Sequence, residues 1–456
     1  MKLSDIVGAV TDEAKKIEIL KSGRTVLPKI DVIKKQYDVS RHDVMDKSIR
    51  QDKQVKDGEN TKIVPVNRIA IPFQPRIAKT SVAFAFGNNV KWSTPNREDN
   101  LVKLFESIKT VFDGAKISTL DRLMCYNLKK FTECAEYWYS ASVDTNEDYG
   151  FSTDKKIKGI LFTPDKNTLY PYFDEFGDMV AFSREYVITK NGNTTTYFET
   201  YTSEDITKWV GGLLIETRPN TLKKIPVVYI NQELTDWQEV ETAINRLETL
   251  LSNFADCVDY HGSPTIVVTG ELQGFADKGE QGKLLVAEKG GEVKYLSWEQ
   301  APDAVKLEID TLFDVIYTFT QTPNISFSSV KGISSISGIA LKLLFMDAHL
   351  KVMADRVIYD AWMDRRASIV KSYLSILSSN KDFEKLKLQH EIRPYMIEDL
   401  ATLVSELTNA NGGNAIISQQ TSIGLSGLVD DAKAEYEKIV EEDNKRNTIN
   451  AFPPAV

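Results

Sequence analysis

The side chains that most often bind metals or carry nucleophilic chemistry are few in this chain and widely spaced. Only four of its 456 residues are histidines: His42, His261, His349 and His390. None has another histidine close enough in sequence to form an HExxH or HxH metal motif. His349 falls within a helical pattern, where a surface or packing role is expected. The histidines therefore predict no metal site.

The cysteines indicate a reduced compartment. There are three of them, Cys125, Cys134 and Cys257, and no pair has CxxC spacing. An odd number without that spacing predicts neither a structural disulfide nor a zinc site.

The sequence also lacks the common catalytic loops. No GxSxG nucleophile elbow is present. The segment 279–283 has some likeness to a phosphate loop, but Asp277 and Leu284 stand where that motif needs glycine and serine or threonine. A turn between strands is the better interpretation. We therefore predict no catalytic residue and no cofactor.

Composition indicates a folded chain of several structural units, with 42% hydrophobic and 10% aromatic residues. No apolar run approaches the length of a membrane span, and the N-terminal segment lacks the features of a signal peptide, so we expect a cytosolic protein without a membrane partner. The formal net charge is −9. Proteins that grip DNA are usually basic, so this chain should not hold DNA tightly.

In the first half of the chain the sequence pattern changes from one typical of helices to one typical of β-strands. Residues 1–40 are predicted to be helical, and the charged stretch 41–62 to be an exposed loop or hairpin. Helical patterns return over 76–86 and 97–140. Aromatic and β-branched runs with turn signals then predict a meander of short strands over 131–230.

Two similar amphipathic helices follow, on either side of a small β module. The apolar residues of 236–260 and of 303–320 recur at steps of three and four, which predicts one buried stripe on each helix. Short β runs at 265–269, 283–287 and 293–297 lie between them. Antiparallel packing of the helices would project this module from one end.

These two helices are also acidic. The first carries six acidic residues and one arginine, and the second carries four acidic residues and one lysine. Solvated helix faces would explain this composition, and so would an acidic wall. The candidate wall residues are Glu239, Glu241, Glu248, Asp256, Asp310 and Asp314.

A loop rich in serine, glycine and proline follows at 321–337. Ser337 is the predicted N-cap of a very long helix over 338–377, with Leu343, Met346, Leu350, Met353 and Val357 as its stripe. The chain then ends in a short strand near 386–392, a helix near 397–408 and a charged helix from 430 to about 446.

Several segments resemble one known family when they are taken in order. Asn67-Arg-Ile-Ala with Phe84 to Val90 is one, although Asn89 stands where that family usually has proline. The helix 236–260 leading into 263–270 is another. The family's signature reads like SQTPD…SGVALKYKL. Two segments of this chain are similar to it in the same order, Phe319-Thr-Gln-Thr-Pro-Asn324 and Ser337-Gly-Ile-Ala-Leu-Lys342. Ile392-Arg-Pro394 through Thr421 to Asp430-Asp431 and Glu435 also follows the family order.

The family is that of tailed-bacteriophage portal proteins, particularly the portals of long-tailed phages of Gram-positive hosts, and the resemblance covers roughly 67–445. It implies an α+β portal fold. The expected divisions are 1–234 wing, 235–262 first stem helix, 263–300 clip, 301–321 second stem helix, 322–337 tunnel loop, 338–380 long wing helix and 381–456 wing end and crown.

The resemblance also implies what the chain does. Portals are non-enzymatic subunits of a dodecameric ring at a capsid vertex, and double-stranded DNA passes through the ring without sequence preference. The implied partners are the terminase large subunit, which supplies ATP hydrolysis, head-completion or adaptor proteins, and the major capsid and scaffolding proteins. The expected location is the virion, and the host cytoplasm during assembly.

The tunnel loop is the segment expected to touch DNA. Its candidate contacts are Asn324, Ser326, Ser328, Ser329, Lys331, Ser334 and Ser335, with Ser337 at the end of the loop. Hydroxyl groups and one lysine would grip phosphates only lightly. An ordinary flexible connection is the alternative interpretation.

Two other classes of protein fit part of the pattern. Another head–tail connector or minor capsid protein would also lack an active site, but would not need a long loop between an acidic helix and a helix of this length. A nucleic-acid enzyme with an unrecognised carboxylate site would need a divalent metal ion.

Overall fold

A computed structural model gives the architecture of the chain. It describes residues 1–24, 26–57, 60–261, 265–269, 272–275, 285–287, 292–296, 301–324, 343, 345–396, 400–429 and 431–450. The chain divides into two compact units. One comprises Met1–Asn324 and Asp347–Tyr395, and the other comprises Ile325–Met346 and Met396–Val456.

The N-terminal region is helical, as predicted. Its helices are α1 (Leu3–Val7), α2 (Glu13–Ser22) and α3 (Ile30–Tyr37). The Asp12 carboxylate caps α2 by accepting a hydrogen bond from the backbone N–H of Ala14 at 2.9 Å. The charged stretch that follows contains the hairpin β1 (Lys53–Asp57) and β2 (Asn60–Val64), so the expectation of a hairpin is confirmed.

Three longer helices come next: α4 (Phe73–Phe86), α5 (Asp99–Gly114) and α6 (Ile117–Phe131). The prediction of helix up to residue 140 is wrong at its end. Thr132 adopts a left-handed conformation, with φ of 65°, and ends α6. Strand β4 (Glu133–Asn146) begins directly afterwards.

The predicted meander forms two antiparallel sheets. Its strands after β4 are β5 (Thr153–Phe162), β6 (Asn167–Phe173), β7 (Met179–Lys190), β8 (Asn193–Thr202), β9 (Asp205–Val210), β10 (Leu213–Pro219) and β11 (Val227–Asn231). One sheet has the order β11-β4-β5 and the other has the order β10-β9-β8-β7-β6. Phe162, Phe182 and Tyr201 belong to one buried cluster that joins the two sheets. The predicted turn at Asn191-Gly192 connects β7 to β8, and both residues have positive φ.

The helix pair and its β module also match the predicted order. Helix α7 (Glu241–His261) is preceded by a short 3₁₀ turn, and α8 spans Ala301–Phe319. Between them β12 (Thr265–Thr269) pairs with β15 (Glu292–Leu296). A second pair, β13 (Leu272–Phe275) with β14 (Leu285–Ala287), includes a strand that the sequence did not indicate. β13 has only four residues, one of them Gly274, which leaves too little pattern to recognise.

The long helix α9 spans Met346–Ser378, and the predicted residues 338–342 lie outside the described part of the chain. Its predicted apolar stripe is not its buried face. The stripe residues are all at least 44% exposed: Leu343, Met346, Leu350, Met353 and Val357. The buried face instead carries Tyr359, Trp362 and Arg366 among others.

The C-terminal elements are close to their predicted positions. Strand β16 (Gln389–Glu391) is shorter than expected and pairs with β3 (Lys91–Ser93). The remaining helices are α10 (Asp382–Lys385), α11 (Leu400–Asn411), α12 (Gln419–Ser426) and α13 (Ala432–Asn450). No helix in the described part of the chain combines the length and the apolar character that a membrane span requires.

Candidate functional site

Helices α7 and α8 pack against one another through most of the stripes that the sequence predicted, although Val258 and Phe319, the last residue of each stripe, are exposed. Ile244 and Leu247 of α7 and Ile316 of α8 are fully buried in one cluster. On the exposed side, Arg246 donates to the Glu308 carboxylate at 2.7 to 2.8 Å. Because β12 and β15 pair antiparallel, the end of α7 and the start of α8 lie beside the same end of the β module. The two helices therefore run antiparallel.

Part of the predicted acidic wall lies on the surface of this pair. Glu239, Asp310 and Asp314 are exposed. Glu241 is half-buried, and burial raises the pKa of its carboxyl group, against the lowering effect of a hydrogen bond from Gln74. Exposed carboxylates such as these repel phosphate groups, which carry charge of the same sign.

Glu248 is not on that surface, and the expectation of an exposed acid is wrong for it. Its carboxylate is 1% exposed, and one oxygen accepts from the backbone N–H of Ile71 at 2.7 Å and lies 2.8 Å from His42 Nδ1. His42 Nε2 lies 2.8 Å from the Gln36 carbonyl oxygen. Both partners of the ring are acceptors, so both ring nitrogens carry hydrogen and His42 is an imidazolium.

The pKa of His42 agrees with this assignment. Burial lowers the pKa, but the hydrogen bond and charge of Glu248 outweigh it, and the net effect raises the pKa above its usual value of 6.5. The pair ties α7 to the segment that precedes the hairpin β1–β2.

The Asp256 side chain is also mostly shielded from solvent, because it bonds residues that lie far earlier in the sequence. It accepts from Arg50 Nη2 at 2.8 Å and from the backbone N–H of Asn67 at 2.7 Å. The Asn67 side chain bonds both Asp256, at 3.0 Å, and Asp259, at 2.6 Å. Asn67 therefore has a physical role that the sequence did not reveal, which is to hold the approach to α4 against the far end of α7.

A cluster of four charges, buried at its centre and partly exposed at Lys351 and Asp355, anchors the other end of the helix pair, and we call it the base cluster. It consists of Lys129 on α6, Asp236 before α7, and Lys351 and Asp355 on α9. Lys129 pairs with Asp236 at 3.2 Å and with Asp355 at 2.8 Å, and Lys351 pairs with Asp236 at 2.8 Å. Lys351 also donates to the carbonyl of Thr320, just after α8, at 3.0 Å. One cluster thus fixes the start of α7 and the end of α8.

The electrostatics of the base cluster are balanced. Burial would raise the pKa of Asp236, but Lys129 and Lys351 overcome it and hold that pKa well below its usual range. Burial alone would lower the pKa of Lys129, but the charges of Asp236 and Asp355 raise it above its usual value. Sequence reasoning missed this cluster because it joins three segments, at 129, 236 and 351–355, that each lie more than a hundred residues from the next, and no local pattern joins them.

The described part of the predicted tunnel loop is short. Thr320 and Thr322 are buried, and Thr320 Oγ1 donates to the Ile316 carbonyl at 2.7 Å. Gln321 between them has a φ of 51°, so the chain turns sharply as it leaves α8. Asn324 is half-buried, and the other candidates, Ser326, Ser328, Ser329, Lys331, Ser334 and Ser335, lie outside the described residues.

Chemically reactive groups are not concentrated anywhere among the described residues. Within those ranges no group of three or more His, Cys, Asp or Glu side chains is placed to hold a metal ion. Cys125 is buried, and burial raises the pKa of its thiol to about 12. What the helix pair offers is a rigid, acidic surface held at both ends by buried polar contacts.

Comparison with known proteins identifies one matching family model. The model described as "Phage portal protein, SPP1 Gp6-like" matches residues 18–448. Two similar solved structures are the neck of the empty GTA particle computed with C6 symmetry and the neck of the native GTA particle computed with C12 symmetry. The first has 13% identity and a TM-score of 0.42, covering 79% of this chain and 90% of that chain. The second has 12% identity and a TM-score of 0.42, covering 89% and 96%. No curated protein sequence matches significantly.

Proposed function

The chain belongs to the SPP1 Gp6-like family of phage portal proteins, and from this premise we propose that it forms the ring through which phage DNA enters and leaves the capsid. The family match over 18–448 is the observation that carries the proposal. The family is structural, so we propose no catalytic activity. ATP hydrolysis would come from the terminase large subunit.

The helix pair α7 and α8 would form the stem and line the channel of a dodecameric ring. Its exposed Glu239, Asp310 and Asp314 support this role. A charged polymer slides through a channel only if no deep binding minimum stops it. Like charge on the wall keeps the duplex from adhering, whereas a basic wall would bind it.

The β module would be the clip, over residues 263–300, that docks the terminase motor and later the head-completion or adaptor proteins. Its position supports the proposal, since it is an excursion between two helices that pack with each other. Such a module can be altered without disturbing the core that holds those helices.

The remaining segments would embed the ring in the capsid vertex. Residues 1–234 and 338–380 would form the wing, and 381–456 the wing end and crown. Contacts with the major capsid and scaffolding proteins belong to this part. The ring would assemble in the host cytoplasm and remain in the virion.

The tunnel loop, 322–337, provides the test. Lys331 is the only charged residue of this segment, so Lys331→Glu should replace a weak attraction for phosphates by repulsion. We expect normal rings but impaired DNA packaging or retention, measured as the DNA content of assembled particles. Lys331→Arg keeps the charge and should package normally. Unchanged DNA content in Lys331→Glu would contradict a DNA-contacting loop and favour another connector role.

A further inference from the structure

A surface cavity of about 500 Å³ lies between the loop that joins β10 to β11, the C-terminal half of α9, and α10. Its wall is rich in cationic and hydroxyl groups. Lys224 comes from the loop, and Ser368, Lys371 and Ser372 come from α9. Glu384, on α10, is the acidic residue of the lining.

Among the described residues, the two lysines donate their hydrogen bonds to neutral oxygen atoms. Lys224 Nζ donates to Ser368 Oγ at 3.0 Å, and Lys371 Nζ donates to the Leu386 carbonyl at 3.0 Å. Arg365 adds a third positive charge nearby and donates to the Ile225 carbonyl at 3.0 Å. Among the described residues, none of these three cations forms an ion pair with a carboxylate.

Partial burial disfavours the charge of both lysines. Burial lowers the pKa of Lys224, and the positive charge of Arg365 lowers it further. Burial and the charge of Lys224 lower the pKa of Lys371 in the same way, and the charge of Glu384 offsets only part of each effect. Elsewhere in the chain the buried Lys129 and the partly buried Lys351 are paired with aspartates. An anion placed between Lys224 and Lys371 would offset both effects.

We infer that this cavity binds a phosphate group. Two ammonium groups supply charge-assisted donors. Ser368 accepts from Lys224 and donates to no described group, so its hydroxyl hydrogen is free to bond a ligand oxygen. The volume exceeds that of a single small anion and leaves room for the remainder of a phosphate ester. The inference does not depend on ring formation.

Glu384 provides a variant that should bind phosphate more tightly. Its carboxylate is exposed and lines the same cavity, but among the described residues it pairs with neither lysine. It would repel a bound phosphate and compete for the two ammonium groups. Glu384→Gln should therefore bind phosphate more tightly than the natural chain. A variant that gains affinity cannot be explained by misfolding.

The experiment is calorimetric titration of the full-length protein with inorganic phosphate, with chloride adjusted to keep the ionic strength constant. We expect saturable binding that Lys224→Gln or Lys371→Gln weakens roughly tenfold or more, since each removes a charged donor. Glu384→Gln should tighten it. Lys381→Gln, which removes an exposed lysine outside the cavity, should leave it within about twofold of the natural chain.

A second arm distinguishes the source of the phosphate. A short DNA duplex is titrated against the same variants. A response to phosphate alone assigns the cavity to a free phosphate or nucleotide, and a duplex affinity that falls with Lys224→Gln and Lys371→Gln assigns it to the DNA backbone. The inference is overturned if neither ligand binds, or if the lysine variants bind both as the natural chain does.

Discussion

Two buried cations of this chain, Arg366 and Lys129, each pair with two carboxylates. Arg366 is fully buried and pairs with Glu136 and Asp121, and Lys129 is paired with two aspartates in the base cluster. Such sets add little net stability when complete, but removing one member leaves an uncompensated charge in the interior. The base cluster should therefore be sensitive to single substitutions.

Lys129→Met tests the base cluster. The change leaves Asp355 without its buried partner and Asp236 with Lys351 alone, so we expect the free energy of unfolding to fall by about 3–5 kcal/mol. Denaturant unfolding measures it. Lys109→Met is the matched control, because Lys109 forms an exposed pair with Glu106 on α5 and should change stability by less than about 1 kcal/mol. Equal losses in the two variants would refute the role of the base cluster.

His42 makes a pH-dependent contribution. Its pKa is raised in the folded chain, so the stability that it adds is complete below 6.5 and is lost as the pH rises through the folded-state pKa. His42→Gln should therefore lower stability more at about pH 6 than at about pH 8. Unfolding of both proteins at the two pH values measures this.

The control for His42 is His349→Gln. His349 Nε2 lies 3.2 Å from the neutral carbonyl oxygen of Tyr395, so this variant removes an imidazole from the chain while the pair of His42 and Glu248 stays intact. A loss of stability in His42→Gln that is the same at both pH values would show that His42 acts only by packing.

At the scale of elements, local periodicity predicted well where one face of a helix is buried and the other is solvated. Helices α7 and α8 follow this pattern, and both were predicted to within a few residues. Helix α9 does not, because it combines an exposed apolar stripe near Val357 with a buried face that includes Arg366. A periodic pattern alone cannot tell which face the rest of the fold covers.

The candidate site shows a similar limit. Sequence composition identified the acidic character of the helix pair, but could not separate Asp310 and Asp314, which are exposed, from Glu248 and Asp256, which have partners. Those partners, His42 and Arg50, lie about two hundred residues earlier in the chain. Only the tertiary fold brings them together.

The β module gives a prediction at this scale. Thr269 of β12 lies opposite Glu292 of β15, so residues 270–291 can be replaced by a two-residue Asn-Gly turn that closes the remaining hairpin. We expect rings to form normally, because the helix pair is held by its own core, while terminase binding and DNA packaging are lost. Electron microscopy checks the rings, and particle DNA content checks packaging. Normal packaging by this variant would show that docking occurs elsewhere.

At the scale of the whole molecule, the chain carries a net charge of −9 and belongs to a phage portal family, and we propose that DNA passes through the ring that it forms. The charge and the proposal agree if the channel wall guides the duplex without binding it. The base cluster and the contacts of Glu248 and Asp256 hold the helix pair against the rest of the first compact unit. Side-by-side repetition of such pairs would give a smooth acidic wall.

Electron cryomicroscopy of the assembled, purified protein tests this claim most directly. We predict a closed ring with a central channel lined by α7 and α8, with Asp310 and Asp314 facing the lumen and the β module protruding at one end. A protein that stays monomeric at high concentration and in assembled particles would contradict the account. So would a ring whose channel is lined by other elements of the chain.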